Sequence, residues 1–113
     1  MPPINVADLK AVLEQIRAQA AVENVRMTQH AQQEAVEEDI TLDDILQTVD
    51  AGEILENYPE HRRGACCLLN GFTSQGRSLH VVCTTAQPVL IVITVYEPKP
   101  PKWVTSTQRG QSV

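Results

Sequence analysis

Three side chains able to transfer a proton occupy informative positions in this sequence. His80 and Tyr96 lie within apolar runs of the C-terminal half, where a plain hydrophobic core would not place polar side chains. His30 falls in the first turn of a predicted helix, where the aligned peptide dipoles favour a bound anion and a neutral imidazole. Since histidine titrates near neutral pH, either ring can serve as an acid or a base. The structural alternative for His30 is a first-turn residue that faces water.

The elements that must position these residues begin with helices. Apolar residues recur at helical spacing over residues 6–20, after the N-cap Asn5. Further helices are predicted over residues 28–38 and, after Thr41, up to Gly52. Residues 25–27, between the first two helices, are predicted as a short extended piece.

The C-terminal half is predicted to form an antiparallel meander. Residues 53–58 form its first strand, and runs rich in β-branched residues follow between residues 65 and 98. The sequence therefore predicts an α+β fold, in which about three N-terminal helices pack on one face of a four-stranded antiparallel sheet. The last strand is apolar on both faces, so both should be covered. The cover opposite the helices is the C-terminal tail with Trp103 as a plug, a partner subunit or a partly open pocket.

The register of the meander decides which residues surround His80. A tight turn is predicted at Gln75-Gly76, because glycine adopts positive φ without steric cost. This turn sets Gly71 opposite His80 and leaves room beside the ring. It also places His80 on one sheet face with Cys67 and Leu69, and a slip of one residue would reverse that face.

Charge is divided unequally along the chain, whose formal net charge is −5. Residues 1–60 contain three basic and thirteen acidic residues, a net of −10, and residues 61–113 contain six basic residues and one acidic residue, a net of +5. The acidic total argues against a general nucleic-acid binder, whereas the basic C-terminal half suits a phosphate-bearing partner. The alternative is that helices simply carry more Glu and Asp than strands do.

Cysteine usage and hydropathy indicate the cellular compartment and the cofactors to expect. The three cysteines are an odd number, and the adjacent pair Cys66-Cys67 points to opposite faces of a strand. Reduced thiols in a cytoplasmic protein are therefore expected. No spacing resembles a zinc site, so we expect no metal and no cofactor. No apolar run approaches the roughly 20 residues that cross a bilayer, so no membrane association is expected.

Several motifs, taken in order, resemble a known family. They are MTQHA at residues 27–31, NYPEHRR at 57–63 leading into CLLNG at 67–71, LHVV at 79–82, ITVYEP at 93–98, and Trp103. Over residues 26–103 the chain resembles the 4258 family of domains of unknown function. That family is similar in fold to the RelE-like toxins and the barnase–colicin–RelE ribonucleases. The resemblance implies metal-independent RNA cleavage, by attack of a 2′-hydroxyl on the adjacent phosphate.

The resemblance also implies roles for side chains at or beside these motifs. The candidate residues are His30, Arg62, Arg63, His80, Thr94 and Tyr96. The two histidines would act as base and acid, in either order, and Arg62 would clamp the phosphate. Arg63 and Thr94 would assist substrate binding, and Tyr96 would donate a hydrogen bond or stack on a base.

Two other functions stay open at this point. One is a non-catalytic interaction module that forms a homodimer or binds an antitoxin-like partner. The other is a small-ligand domain in which Cys67, His80 and Tyr96 line a cavity. The geometric test of catalysis is whether His30, Arg62, His80 and Tyr96 converge in one open concavity, and the catalytic interpretation fails if His80 is buried and hydrogen-bonded to backbone. Residues 1–104 are predicted to form a single domain, and residues 105–113 a flexible tail.

Overall fold

The structure, a computed structural model, describes residues 4–110 of the chain and contains three helices and five strands. In chain order they are α1 (Leu9–Ala21), β1 (Val25–Met27), α2 (Gln29–Glu37), α3 (Leu42–Ala51), β2 (Glu53–Tyr58), β3 (Cys66–Phe72), β4 (Ser78–Thr84) and β5 (Leu90–Tyr96). The α+β class and the three helices are confirmed. Within the described residues, no helix has the length and apolar character needed to cross a bilayer.

Side-chain caps explain where the helices begin. Asp8, Thr28 and Thr41 each accept a hydrogen bond from the amide three residues further on. Thr41 also forms a capping box, because the side chain of Asp44 accepts from the Thr41 amide. The helices α2 and α3 begin as predicted. The predicted N-cap Asn5 is wrong, since Asp8 caps α1.

The sheet has the strand order β1-β5-β4-β3-β2. Strands β2 to β5 form the predicted antiparallel meander. The prediction of four strands is incomplete, because β1 adds a fifth strand that runs parallel to β5 and makes the sheet mixed. The three residues of β1 are extended through pairing with residues 90–92, a long-range contact that local sequence does not reveal.

Strand β1 pairs only with residues 90–92 of β5. Along the rest of that edge, helix α2 covers β5 with two carboxylates. Glu34 accepts a hydrogen bond from the Val95 amide at 3.1 Å, and Glu38 accepts one from the Glu97 amide at 3.1 Å. Unpaired strand amides would otherwise be exposed along this edge. The side chains of α2 therefore take the place of a neighbouring strand.

The β3–β4 hairpin differs by one residue from the predicted register. The Thr73 amide donates to the Arg77 carbonyl at 2.9 Å, so the loop has three residues between this pair and not two. Gly76 occupies the positive-φ position of this loop, at φ 79°. As a result His80 lies opposite Asn70, and the predicted pairing with Gly71 is wrong.

Gly71 has a different function from the one predicted for it. It lies opposite Leu79 on the helical side of the sheet. A Cβ atom at Gly71 would lie 2.7 Å from the Thr48 carbonyl oxygen and 3.1 Å from the Gly52 Cα. The glycine therefore allows close contact between α3 and β3, and it leaves no space for the His80 ring.

The two faces of the sheet have different environments. The helical face belongs to the main core, which includes Val12, Ile16, Ile45, Val49, Cys67, Leu69, Leu79, Val81, Leu90, Val92 and Val95. A β-bulge between the β4 and β5 pairings interrupts the simple alternation of β5, so Val92 and Val95 both join this core. Tyr96, opposite His80, therefore lies on the non-helical face. The predicted grouping of His80 with Cys67 and Leu69 is wrong.

Candidate functional site

The non-helical face of the sheet is divided into a covered half and an open half. Residues 98–110, called the strap below, follow β5 and fold back over the covered half. Trp103 is the buried centre of the strap, with 2% of its surface exposed. Its indole nitrogen donates to the Tyr96 hydroxyl at 3.2 Å, and its ring meets the His80 ring edge-on at 4.4 Å between centroids. The predicted plug at Trp103 is confirmed.

His80 is fully buried beneath the strap and both of its ring nitrogens have partners. Nε2 lies 2.6 Å from the Ser106 carbonyl oxygen, and Nδ1 lies 3.1 Å from the Tyr96 hydroxyl. A carbonyl oxygen only accepts, so Nε2 carries the hydrogen and the Tyr96 hydroxyl donates to Nδ1. Burial lowers the pKa of His80 and favours this neutral form. A substrate can reach these nitrogens only when the strap moves away.

The end of the strap is attached to β2 by an ion pair. The Arg109 guanidinium donates to both carboxylate oxygens of Glu56, at 2.7 and 2.6 Å. The same guanidinium lies 4.6 Å from the centre of the Trp103 ring, and the Tyr58 hydroxyl donates to Glu56. The bonds from Arg109 lower the pKa of Glu56 to about 2, so its carboxylate is charged at neutral pH. Burial raises the pKa of Tyr58 and keeps its phenol protonated.

The open half contains a pocket of about 250 Å³, called the sheet pocket below. It is lined by one side chain from each of the four meander strands and by one from the loop after β2: Tyr58, His61, Cys66, Val82 and Ile93. It therefore crosses the sheet from β2 to β5. Burial raises the pKa of Cys66, so this wall presents a neutral thiol and no thiolate nucleophile.

An exposed loop borders the pocket where β2 ends. This basic loop, residues 60–64, carries His61, Arg62 and Arg63, all exposed to solvent. The Arg63 amide donates to Nδ1 of His61 at 3.2 Å, so the neutral ring carries its hydrogen on Nε2. Within residues 4–110, the guanidinium groups of Arg62 and Arg63 form no hydrogen bond or ion pair.

His30 lies at the opposite edge of the sheet. Its side chain is 68% exposed, and its Nε2 lies 3.2 Å from a carboxylate oxygen of Glu34. The same carboxylate oxygen accepts the Thr94 hydroxyl. The helix that carries His30 is joined to the pocket strand by Thr28, whose hydroxyl donates to the Ile93 carbonyl at 2.9 Å.

The six predicted site residues fall into three separate groups, and none of them lines the sheet pocket. These groups are His80 with Tyr96, His30 with Thr94, and Arg62 with Arg63. The convergence that the test of catalysis requires is therefore absent, and His80 is buried and bonded to the Ser106 backbone, so the closed structure does not support the catalytic interpretation. The chemical roles of these residues stay predictions.

Sequence reasoning missed four side chains of this face: Glu56, Tyr58, His61 and Arg109. Glu56 and Tyr58 are two residues apart on a strand, so they share a face, and this spacing was a usable signal. Their contact with Arg109 spans about half the chain and had no local signal. The described residues contain no group of three His, Cys, Asp or Glu side chains that could hold a metal ion.

A comparison of the chain with models of protein families gives a match over residues 27–97, to "Domain of unknown function (DUF4258)". The chain belongs to this family. The match covers the last residue of β1 and all elements from α2 to β5, whereas α1 and the strap lie outside it. No curated protein and no solved structure matches the chain significantly. The predicted membership of the DUF4258 family is confirmed, and the RelE-like fold stays a prediction.

Proposed function

We propose that the protein acts on RNA, which it binds as a single strand across the open half of the non-helical face and cleaves without a metal ion. The RelE-like fold and the ribonuclease activity come from the sequence resemblance. The observation that carries the proposal is the sheet pocket, which lies beside a loop with three exposed basic side chains. Sequence-tolerant RNA binding commonly combines these two features, an aromatic surface for bases and cations for the backbone.

The size of the sheet pocket supports a single base as its occupant. Its volume of about 250 Å³ lies below the roughly 300–1,000 Å³ of pockets for drug-sized ligands and cofactors. Its walls are apolar except for the Tyr58 hydroxyl, the thiol of Cys66 and the imidazole of His61. A base can stack on the Tyr58 ring while its sugar and phosphates stay in solvent.

The basic loop supports the binding of the adjoining phosphates. Arg62 and Arg63 carry fixed charges, and their guanidinium groups have no partner among residues 4–110. A guanidinium matches two phosphate oxygens at once. Nε2 of His61 carries a hydrogen and adds a third donor. The net charge of +5 over residues 61–113 and of −10 over residues 1–60 would orient RNA toward the sheet and away from the helices.

The width of the sheet limits which histidines can contact the same RNA phosphate. Strands β2 and β5 are separated by three spacings of about 4.8 Å, or roughly 14 Å. One phosphate therefore cannot contact both His61 at one edge and His30 at the other. We assign His61 to RNA binding. The base and acid roles that the resemblance implies for His30 and His80 need both rings at one phosphate, which the closed structure does not provide.

Binding is tested with a fluorescently labelled single-stranded RNA of mixed sequence, by anisotropy over a series of salt concentrations. The double variant Arg62→Ala/Arg63→Ala should weaken binding and reduce the salt slope by about 1.4, since each contact on a single strand contributes about 0.7. The control is Lys10→Ala, which removes one charge from an exposed residue of α1 and should leave the salt slope nearly unchanged. A loss of about 0.7 in the slope of Lys10→Ala, equal to that of one phosphate contact, or no binding by the wild type at low salt, would overturn the proposal.

Cleavage is tested separately, with end-labelled RNA and excess EDTA. We expect products that end in a 2′,3′-cyclic phosphate, and we expect His30→Ala to reduce their rate of formation. Binding without any cleavage over about pH 5 to 8 would leave an RNA-binding module and remove the ribonuclease.

Two alternatives have their own tests. The sheet pocket is also suited to a small ligand, and a thermal-shift screen in which no compound stabilises the protein would weaken this alternative. A homodimer or an antitoxin-like partner stays a proposal, which light scattering of the purified chain addresses. Trp103 already covers part of the face that a partner was predicted to cover.

A further inference from the structure

Three of the contacts between the strap and the sheet, among the residues that the structure describes, differ in strength and accessibility. Two are buried, the Trp103 ring and the bond between Ser106 and His80. The third is the pair between Arg109 and Glu56, whose side chains are 49% and 26% exposed. The outermost contact is therefore the one that a ligand in solution can reach first.

The position of Arg109 places this contact beside the proposed RNA site. Its partner Glu56 accepts the hydroxyl of Tyr58, and the Tyr58 ring lines the sheet pocket. A phosphate attached to a base in this pocket would thus approach the Glu56–Arg109 pair. Phosphate oxygens bind a guanidinium in the same two-pronged geometry as the carboxylate that already holds it.

We propose that Arg109 is an RNA-binding residue held in reserve by Glu56, and that exchange of the Glu56 carboxylate for an RNA phosphate releases the strap. Release uncovers His80 and Tyr96, which the closed strap separates from any substrate. This inference rests on the proposed function, because it assumes that RNA occupies the open half. It explains how a buried histidine can belong to a site that acts on a large substrate.

The strap contains its own reporter, since Trp103 is the only tryptophan in the chain. In the closed state its indole is buried, so release should shift its emission to longer wavelength and increase quenching by acrylamide. We expect both changes when single-stranded RNA is added to the wild-type protein. Anisotropy of labelled RNA, measured on the same samples, reports binding independently of the strap.

Two substitutions separate a reserve phosphate ligand from a purely structural ion pair. Glu56→Gln removes the competing charge and should tighten RNA binding by about fivefold, the upper range for an exposed pair, while the buried Trp103 keeps the strap closed in the free protein. Arg109→Gln should weaken RNA binding by a similar factor and reduce the change in Trp103 emission that RNA causes. If the pair were only structural, RNA would change the Trp103 emission of Arg109→Gln as it does that of the wild type. Glu53→Gln is the matched control, an exposed glutamate on the same strand, and should change neither measurement.

The outcomes distinguish this inference from the proposed function. RNA that binds without any change in Trp103 emission or quenching would overturn the inference and leave the proposed function intact. RNA that does not bind the wild type would overturn both. If Arg109→Gln loses its far-UV circular dichroism signal, the variant is unfolded, and Arg109→Lys is used in its place. Lysine keeps the positive charge but loses the two-pronged geometry of the guanidinium. Unchanged RNA affinity in Arg109→Lys would then contradict the inference.

Discussion

Replacing Trp103 with alanine should detach the strap and remove a large part of the stability of the fold. A buried tryptophan removes about 150–250 Å² from water, which corresponds to about 4–6 kcal/mol at 25 cal/mol per Å². This is an upper value, because unfolded chains are partly compact. The loss is also capped at the free energy that docks the strap, since the rest of the domain remains packed when the strap detaches. We therefore expect about 3 kcal/mol, against a total of about 5–15 kcal/mol for a typical domain.

Urea unfolding followed by far-UV circular dichroism measures this loss without relying on the missing fluorophore. The midpoint should fall, and the slope of the transition should also decrease, because the detached strap no longer contributes surface that unfolding exposes. Val104→Ala is the matched control, since its neighbouring side chain is 59% exposed, and should change the free energy of unfolding by less than about 0.5 kcal/mol. A loss below about 1 kcal/mol with an unchanged slope for Trp103→Ala would refute the assignment of the strap to the folded domain.

Three further predictions concern pH and packing. The pKa of His80 in the fold is lower than the unfolded value of 6.5, so stability should be full above about pH 6.5 and should fall with decreasing pH as the unfolded chain binds the proton. Thermal melts measure this dependence, and an equally steep dependence in His80→Gln would contradict the assignment. Gly71→Ala should lower the free energy of unfolding by about 1–3 kcal/mol, because its Cβ would lie 2.7 Å from the Thr48 carbonyl oxygen. Chemical denaturation measures this loss, and an unchanged midpoint would exclude the contact. Glu34→Ala should lower the free energy of unfolding by about 1–3 kcal/mol, because it leaves the Val95 amide of β5 without a partner. The control Glu37→Ala, at an exposed residue, should leave the stability unchanged. Equal denaturation midpoints for the two variants would reject the edge contact.

Most of the element boundaries were predictable because their signals are local. Thr28 and Thr41 identified two helix starts through their capping chemistry, and β2 was predicted over the residues it occupies. The hairpin register was missed because Gly76 suits a two-residue and a three-residue loop equally well. That choice decides which face His80 occupies, and only the packing of Gly71 against α3 resolves it.

The candidate site was less predictable because its contacts join distant parts of the chain. The sequence indicated that His80 and Tyr96 were unusual, and the structure brings them together. It did not indicate that Arg109 would lie on Glu56, because nothing within either segment encodes their contact. The β-bulge in β5 likewise depends on pairing with β4, so simple alternation along the strand does not place Val92 and Val95 on one face.

The two glutamates that cover the edge of β5 also limit how this protein assembles. A foreign strand that added to this edge would need the amides of Val95 and Glu97, which Glu34 and Glu38 already occupy. At the other edge of the sheet, the irregular pairing of β2 near Leu55 interrupts the straight ladder that strand addition requires. Fibril growth and strand exchange between copies are therefore disfavoured at β2 and along the part of β5 that β1 does not pair with. A partner of either kind, RNA or protein, is expected to recognise side chains on the faces of this protein and not the backbone at its edges.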